Sequence, residues 1–314
     1  MIFTPYLSRL KTVLMRLSFA FLFSFGFLSG FAQDGSLDAS FQSQGKHHFT
    51  FHSGYNSVYD AEQQHANAFL ILSDQYITRI DSSGNIDSSF ATNGVLNVAP
   101  LFPNDMVVGN GRIYIGGWDS NDDPEIQCFF PDGTPDSSFG SNSISNPSLP
   151  QAQIIYDMKI DAQGRLLVGG RTNASGNHDM MIFRMNSDGS IDNSFGLNGL
   201  VTYDANGSND EIWSIGFQSD GKILCAGENA MNFNTAAVLR LNTDGSVDNS
   251  FGTNGVFRHS VIGRNTYLDD ILVLPDDRIR ITGPYDNVTA YKVHVLGLTA
   301  NGQFDFQWAG NGRY

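Results

Sequence analysis

The sequence predicts an all-β protein built from a repeated four-stranded unit, and three observations support this prediction. First, the phrase "NSDGSIDNSFGLNG" at 186–199 returns as "NTDGSVDNSFGTNG" at 242–255. Second, copies of its core recur at intervals of 49 to 57 residues, a period typical of propeller blades and solenoid repeats. Third, short, roughly alternating apolar segments joined by Asp-Gly or Asn-Gly turns fill each interval, and no convincing helix follows residue 33.

The first 33 residues have the pattern of an export signal. Arg9, Lys11 and Arg16 form a basic region, the apolar run "LSFAFLFSFGFL" follows, and "SGFAQ" offers a cleavage site. A transmembrane anchor is the alternative, although the run is short for a bilayer span of about 20 residues. No cysteine directly follows the run, so no lipoprotein attachment site is predicted. We expect a signal peptide at 1–33 and one repeat-built domain at 34–314, in an exported bacterial protein that is secreted or held at the cell surface.

Six copies of the repeated motif align on the glycine of its turn. These glycines are Gly35, Gly84, Gly133, Gly189, Gly245 and Gly302. In the fourth interval, strand-like segments and turns alternate, with the segments at 210–218, 222–227, 235–242 and 255–262. Four short antiparallel strands at a fixed period predict a β-propeller.

The motif is predicted to be architectural. Its glycine supplies the positive φ that the turn needs. A second acid can accept backbone N–H groups and fix the crossing to the next blade; it occurs at Asp38, Asp87, Asp136, Asp192, Asp248 and Asp305. An aromatic ring can wedge between neighbouring blades, where its burial contributes roughly 1.5–3 kcal/mol. These rings belong to Phe41, Phe90, Phe139, Phe195, Phe251 and Trp308.

The strand pattern predicts five four-stranded blades. Inner strands begin near Ser57, Asn104, Gln153, Asp210 and Tyr267. Outer strands follow only the first four units. The segment Gly45–Phe51 is predicted to supply the outer strand of the fifth blade and so to close the ring.

Two segments of the fourth repeat carry a family resemblance. "SIDNSFGLNG" and "QSDGKILCAG" resemble the delta-60 repeats of bacterial secreted and surface proteins, which are propeller-like. The resemblance extends from Gly35 to Gly312 and is weaker in the first unit, where "NAFLILS" replaces the Gly-Lys-Ile pattern. It implies an extracellular, repeat-built protein, and it implies no catalytic residue set.

Charge and cysteine content narrow the range of partners. The formal net charge of −14 disfavours nucleic acid and anionic membrane surfaces. Once the signal is removed, no segment is expected to insert into a membrane, and a monomer is expected. Cys128 and Cys225, the two cysteines, lie in apolar strand-like runs, which favours buried thiols over a disulfide framework.

Several acidic segments are candidate calcium sites. The motif turn holds Asn186, Asp188 and Asp192, but Arg184 and Phe195 stand where an EF-hand loop requires an acid and a glutamate, so a plain turn is favoured. The loop "WDSNDDPE" offers Asp119, Asp122, Asp123 and Glu125, for which a solvated acidic loop is the favoured interpretation. The histidines do not cluster, and His47 and His48 face opposite sides of one strand.

An acid also recurs on the inner strands. Asp60, Asp105, Asp157 and Asp270 fall at equivalent positions, and Ser214 takes this place in the fourth blade. The favoured interpretation is that each carboxylate accepts an N–H from the neighbouring blade and locks the ring. The alternative is a cation site in the channel, with calcium as the expected ion because of its preference for oxygen ligands.

The loops between second and third strands differ most among the repeats, and variable loops on a uniform scaffold are typical of recognition. The candidate ligand-binding residues are Trp118, Asn173, His178, Asn232, Phe233, Tyr285 and Asn287. Two function classes remain open. The favoured one is a non-catalytic binding or adhesion module for a glycan or a surface protein. The alternative is a propeller hydrolase or lyase with a metal ion in the central channel.

Overall fold

The computed structural model describes residues 57–121, 123–149, 153–173, 176–205, 207, 209–230, 234–287, 290–309 and 312–313. These residues form nineteen strands and no helix. Across the same ranges, no helix is long and apolar enough to cross a lipid bilayer. The predicted signal peptide, the first motif copy and the predicted closing strand Gly45–Phe51 lie outside the described residues.

The strands form five antiparallel sheets, in which neighbours in the sheet are also neighbours in the chain. Blade 1 contains β1 (Val58–His65), β2 (Ala68–Ser73), β3 (Tyr76–Asp81) and β4 (Val95–Asn97). Blade 2 contains β5 (Phe102–Gly109), β6 (Arg112–Trp118), β7 (Pro124–Phe129) and β8 (Ile144–Ser145). Blade 3 contains β9 (Gln153–Ile160), β10 (Leu166–Thr172), β11 (Asp179–Met185) and β12 (Leu200–Tyr203).

Blade 4 contains β13 (Asp210–Phe217), β14 (Ile223–Ala230), β15 (Asn234–Leu241) and β16 (Val256–His259). Blade 5 contains β17 (Asp270–Val273), β18 (Ile279–Asn287) and β19 (Ala290–Leu298) among the described residues. An isolated bridge between Leu296 and Arg313 lies where the outer strand begins in the other blades. The predicted five-bladed β-propeller is confirmed.

The apolar core lies between blades rather than at one centre. Four clusters are present, and each joins side chains of two successive blades. The cluster between blades 2 and 3, for example, packs Phe139 and Tyr114 against Ile155, Met158 and Phe183. Because each sheet is apolar on both faces, a single blade cannot bury its surface alone, and the stack of blades is the stable unit.

The two cysteines are unpaired thiols buried in these clusters, as the sequence predicts. Burial raises the pKa of Cys128 to about 12 and also raises that of Cys225. Both thiols therefore stay protonated at neutral pH and act as small apolar side chains.

The strand order gives the propeller two distinct ends. The motif face is the end that carries the turns between first and second strands and the turns of the repeated motif. The loop face is the opposite end, where second strands finish, at Trp118 in blade 2 and Thr172 in blade 3, and where the chain crosses to the next blade.

Candidate ligand-binding face

The recurring acid of the inner strands joins neighbouring blades. The carboxylate of Asp60 accepts the N–H of Met106 at 3.3 Å. Asp105 accepts that of Met158 at 2.7 Å. Asp157 accepts that of Ile215 at 2.6 Å. These contacts confirm the favoured structural interpretation for three of the positions.

At the boundary between blades 4 and 5, the residue of the earlier blade donates the hydrogen bond instead of accepting it. The Ser214 hydroxyl donates to the Asp270 carboxylate at 3.0 Å, so here the recurring position of one blade contacts that of the next. Asp157 is fully buried and also lies 3.0 Å from the Lys159 ammonium. The hydrogen bonds and this ion pair account for the buried carboxylates as structural groups, and the cation interpretation of Asp60, Asp105, Asp157 and Asp270 stays a prediction.

A β-bulge precedes the recurring acid and faces a glycine in blades 2 to 5. In blade 4 the register shifts between Ile212 and Ser214, which brings the strand β13 close to β14. A Cβ on Gly227 would lie only 1.9 Å from the Glu211 carbonyl oxygen. The equivalent glycines of blades 2, 3 and 5 meet the same obstacle, and they are Gly117, Gly170 and Gly283. In blade 1 the equivalent residue is Ser73.

The repeated motif forms a second belt of contacts on the motif face. Its glycines adopt positive φ, as predicted, between 74° at Gly302 and 87° at Gly245. The second acid accepts backbone N–H groups, as when Asp192 accepts that of Ser194 at 3.0 Å. The aromatic rings are fully buried between blades, as predicted, in the case of Phe90, Phe139, Phe195 and Phe251.

An arginine that the sequence pattern does not predict completes this motif. In blade 3 the Arg184 guanidinium pairs with Asp192 at 2.7 Å and lies over the Phe195 ring at 4.6 Å. It also donates to the carbonyl of Thr243 in the next blade at 2.6 Å. Burial raises the pKa of Asp192, but hydrogen bonds from Ser194 and the charge of Arg184 outweigh it and hold that pKa below its usual range.

The arginine comes from two different strands, which explains why no fixed spacing reveals it. Blades 1, 3 and 4 place it on the third strand, at Arg79, Arg184 and Arg240. In blade 2 that position is Cys128, and Arg112 of the second strand pairs with Asp136 instead. In blade 5 it is Gly297, and Arg280 of the second strand pairs with Asp305.

The loop face differs from one blade to the next, and the difference begins one residue after the bulge-facing glycine. That next residue is Trp118 in blade 2, Arg171 in blade 3, Glu228 in blade 4 and Pro284 in blade 5. The contacts that join blades 1 to 4 thus repeat, and unlike residues begin where the second strands reach the loop face.

Trp118, a predicted binding residue, forms an aromatic platform in blade 2. Its ring stacks on that of Phe102, with centroids 6.2 Å apart and planes 14° apart. The two residues are direct partners across β5 and β6. Phe102 is 45% exposed, so the platform presents apolar ring surface to solvent on the loop face.

His178, another predicted residue, belongs to a group of unlike side chains that spans blades 3 and 4. We call Tyr156, Arg171, His178, Glu211 and Trp213 the polar–aromatic cluster. The rings of Tyr156 and Trp213, which occupy equivalent bulge positions in neighbouring blades, stack with centroids 4.2 Å apart and planes 19° apart.

The polar members of this cluster are joined around one carboxylate. Glu211 contacts Arg171 and lies 2.8 Å from His178 Nδ1, which is 2.7 Å from an Arg171 nitrogen. Burial raises the pKa of Glu211, but the hydrogen bond to His178 and the charge of Arg171 outweigh this effect and leave that pKa below its usual range. Glu211 is therefore ionised at neutral pH, beside half-buried donors on Arg171 and His178.

The remaining predicted residues are spread over other blades. Tyr285 stacks on His294 in blade 5, with centroids 5.7 Å apart. Asn173 is exposed directly after β10, near His178 in sequence. Asn287 ends β18, and Asn232 and Phe233 lie outside the described residues. The structure therefore places Trp118, His178 and Tyr285 on one face but in three different blades.

The acidic side chains of the two candidate calcium loops accept hydrogen bonds from nearby groups. Asp119 accepts the N–H groups of Asn121 and Asp123 at 2.8 and 3.1 Å, which closes the "WDSNDDPE" turn, while Glu125 is buried and accepts from Gln127 at 2.8 Å. Asp122 lies outside the described residues. In the motif turn, Asp188 accepts from the Ser190 backbone and hydroxyl.

A different acidic group, which the sequence pattern does not predict, lies between blades 3 and 4. Carboxylate oxygens of Asp179, Asp204 and Asp210 lie within 4.8 Å of one another at the crossing from blade 3 to blade 4. Burial raises the pKa of Asp210 to about 6, and the negative charges of Asp204 and Asp179 act in the same direction. The three residues come from three chain segments, so no sequence spacing identifies them.

Family comparison agrees with the sheet topology. Residues 109–139, 163–195 and 218–251 match the family described as "Domain of unknown function (DUF5122) beta-propeller". The chain is a repeat-built β-propeller. The matched segments each include the second and third strands and the motif of one blade, in blades 2, 3 and 4 of this propeller.

Solved structures show distant similarity to the propeller. A protein of unknown function from Bacteroides caccae is 12% identical, with 84% of this chain and 87% of that chain covered and a TM-score of 0.49. An endo-arabinase from Bacteroides thetaiotaomicron is 13% identical, with 76% and 92% covered and a TM-score of 0.43. Drosophila Plexin A, in complex with Semaphorin 1b, is 11% identical, with 77% and 66% covered and a TM-score of 0.43. No curated protein sequence gives a significant match.

Proposed function

We propose that this propeller is an exported, non-catalytic binding module that takes a glycan on its loop face. One observation supports this most strongly. The inner-strand acids of blades 1, 2 and 3 repeat one inter-blade contact, whereas the residues that follow the bulge-facing position differ in each blade and build surfaces suited to a ligand. Scaffold and recognition are thus carried by separate residue sets.

The chemistry of the loop face suits a sugar better than a charged polymer. The Phe102–Trp118 platform offers a flat apolar surface, on which the C–H face of a pyranose ring can pack. The polar–aromatic cluster adds the Arg171 and His178 donors, which the buried Glu211 carboxylate holds in place and which suit hydroxyl groups. A small number of placed polar groups beside aromatic surface is the usual composition of a specific small-ligand site.

The aromatic stack of the cluster is not a requirement of the fold. Its positions, Tyr156 and Trp213, correspond to Tyr59, Asn104 and Asp269 in the other blades, which share the same strand arrangement. An aromatic pair in only one of the blade boundaries is therefore better explained by recognition than by packing.

A glycan array probed with the exported chain tests the proposal. We expect binding to a defined group of glycans, and we expect Trp213→Ala and Trp118→Ala to reduce that binding at least tenfold while the circular dichroism spectrum is retained. The control is Phe130→Ala, which alters an exposed aromatic residue in a turn of the motif face. No glycan signal, or a signal that both tryptophan variants retain, would contradict the proposal.

Export needs a separate test because it depends on the predicted signal peptide at residues 1–33. We expect mass spectrometry of the protein recovered outside the cytoplasm to find an N-terminus near Gln33 or Asp34. An intact Met1 on protein recovered from the cytoplasm would contradict export and would leave the glycan proposal to its own measurement.

A further inference from the structure

We propose that Asp179, Asp204 and Asp210, together with Asn229 and Thr172, form a calcium site at the crossing between blades 3 and 4. The three carboxylates come from the start of β11, the residue after β12 and the start of β13. Hard oxygen donors of this kind are the ligands that calcium prefers.

Asn229 gives the first independent indication of a ligand. Its side chain is 1% exposed and faces Asp210, to which its Nδ2 donates at 2.5 Å. The two residues are direct partners across β13 and β14, so their side chains share one face of the sheet. Its Oδ1 is buried and has no hydrogen-bond partner among the described residues, although a buried amide oxygen normally has one.

Thr172 gives a second indication, beside Asp179. It is 2% exposed and is the direct partner of Asp179 across β10 and β11. Its Oγ1 is also buried and lacks a hydrogen-bond partner in the described part of the chain. Two residues with an unsatisfied buried oxygen are therefore the strand partners of the two buried members of the acidic group.

The backbone holds these elements together. The Asp210 N–H donates to the His178 carbonyl at 2.7 Å, which fixes the start of β13 beside the start of β11. The Asp210 carboxylate accepts the N–H of Ala205 at 2.7 Å, which brings the segment after Asp204 to the same place. A cation bound here would join three segments and neutralise a group of like charges that is partly buried.

The location links the site to the loop face. Asp179 follows His178 and Asp210 precedes Glu211, both members of the polar–aromatic cluster. Calcium would therefore order the two segments that carry this cluster. The calcium site does not depend on the glycan proposal, because its ligands and its test involve the ion alone.

Isothermal titration of chelator-treated protein with CaCl₂, together with thermal unfolding, tests the site. We expect one calcium ion per chain and a rise in Tm of roughly 4–5 °C at a hundredfold excess of calcium over Kd. Asp204→Asn changes an exposed ligand and should fold normally, with calcium affinity reduced at least tenfold. Asp123→Asn, an exposed acid in the "WDSNDDPE" turn, is the matched control and should bind as the wild type does.

Thr172→Val separates a ligand role from a packing role. Because the hydroxyl is buried and unsatisfied, its replacement by a methyl group should leave the calcium-free Tm unchanged or higher. The same change should weaken calcium binding severalfold. No calcium-dependent heat or Tm rise, equal affinity in Asp204→Asn and wild type, unchanged affinity in Thr172→Val, or equally tight binding of Mg²⁺ would each overturn the proposal.

Discussion

The carboxylate of Asp157 accepts the backbone N–H of Ile215 at 2.6 Å across the boundary between blades 3 and 4. Equivalent carboxylates of blades 1 and 2 make the same contact with their next blades. Since a propeller blade pairs its strands only within itself, such contacts supply directional hydrogen bonds between sheets that otherwise meet through side-chain packing. The inner-strand acids therefore fix the relative positions of blades 1 to 4.

Removal of this carboxylate is expected to destabilise the propeller. Asp157→Ala leaves the buried Ile215 N–H without its acceptor and removes the ion pair with Lys159, so we expect the free energy of unfolding to fall by about 2–3 kcal/mol. Asp157→Asn keeps an acceptor oxygen and should lose less. Urea unfolding of both variants measures the difference. An alanine variant as stable as the wild type would show that the contact does not join the blades.

The guanidinium group of the motif arginine is expected to be needed for stability and not to be replaceable by an ammonium group. Arg184→Met removes the ion pair with Asp192, the bond to Thr243 and the contact with Phe195, which should cost about 3 kcal/mol. Arg184→Lys should also be destabilising, because one ammonium cannot reproduce the planar group of donors. Arg278→Met is the control: its side chain is 40% exposed, and we expect a loss below about 1 kcal/mol. Equal losses in the two methionine variants would contradict this role.

The bulge-facing glycine offers a sharp comparison between blades. Gly227→Ala would place a Cβ against the Glu211 carbonyl, so we expect a loss of roughly 2–4 kcal/mol in the free energy of unfolding. In blade 1 the equivalent residue is Ser73, whose buried hydroxyl has no hydrogen-bond partner among the described residues. Ser73→Ala should therefore be neutral or stabilising. Chemical denaturation of the two variants decides the point, and a tolerated Gly227→Ala would refute the close approach.

Two histidines are expected to make the propeller acid-sensitive. Burial lowers the pKa of His259 and of His294 to about 4, and nearby positive charge acts in the same direction. As pH falls from about 6.5 to 4, the unfolded chain binds protons that the folded chain does not, so stability decreases over this window. Each histidine contributes up to about 3 kcal/mol of this loss.

His294→Phe tests this pH dependence. The new ring can keep the stack on Tyr285 but cannot bind a proton, so the decline in Tm between pH 6.5 and 4 should be smaller in the variant. Carboxylates such as Asp192, whose pKa lies below its usual range, contribute their own loss at lower pH. Parallel Tm profiles for variant and wild type across this window would show that His294 titrates normally in the folded protein.

The sequence predicts features whose residues lie at fixed spacing. The glycine, acid and aromatic of the motif recur in each unit, and the inner-strand acid lies seven residues before the following turn in blades 1, 3 and 5. The arginine of the motif cannot be predicted from fixed spacing, because Arg112 and Arg280 come from a different strand than Arg184. The same is true of the group formed by Asp179, Asp204 and Asp210, because tertiary contacts bring these residues together at a single crossing between blades.

The same limit applies to the binding face. Trp118 and His178 could be predicted because loops that differ among repeats stand out against a uniform scaffold. Tyr156 and Trp213 could not, because both lie within inner strands, where an aromatic residue is ordinarily read as core. Only the bulge, which is a property of strand register, brings these two rings together.

The central claim is that recurring residues hold the propeller together and that unlike residues on the loop face bind the ligand. The most direct test measures, for each variant, both the Tm and the Kd for a glycan identified on the array. Phe195→Leu changes a recurring residue, and Trp213→Ala changes a residue of the loop face. We predict that Phe195→Leu lowers stability by roughly 1–2 kcal/mol and leaves the Kd unchanged, whereas Trp213→Ala raises the Kd at least tenfold in a protein that still unfolds cooperatively. A Phe195→Leu variant that loses glycan affinity at full stability, or a Trp213→Ala variant with unchanged affinity, would contradict the claim.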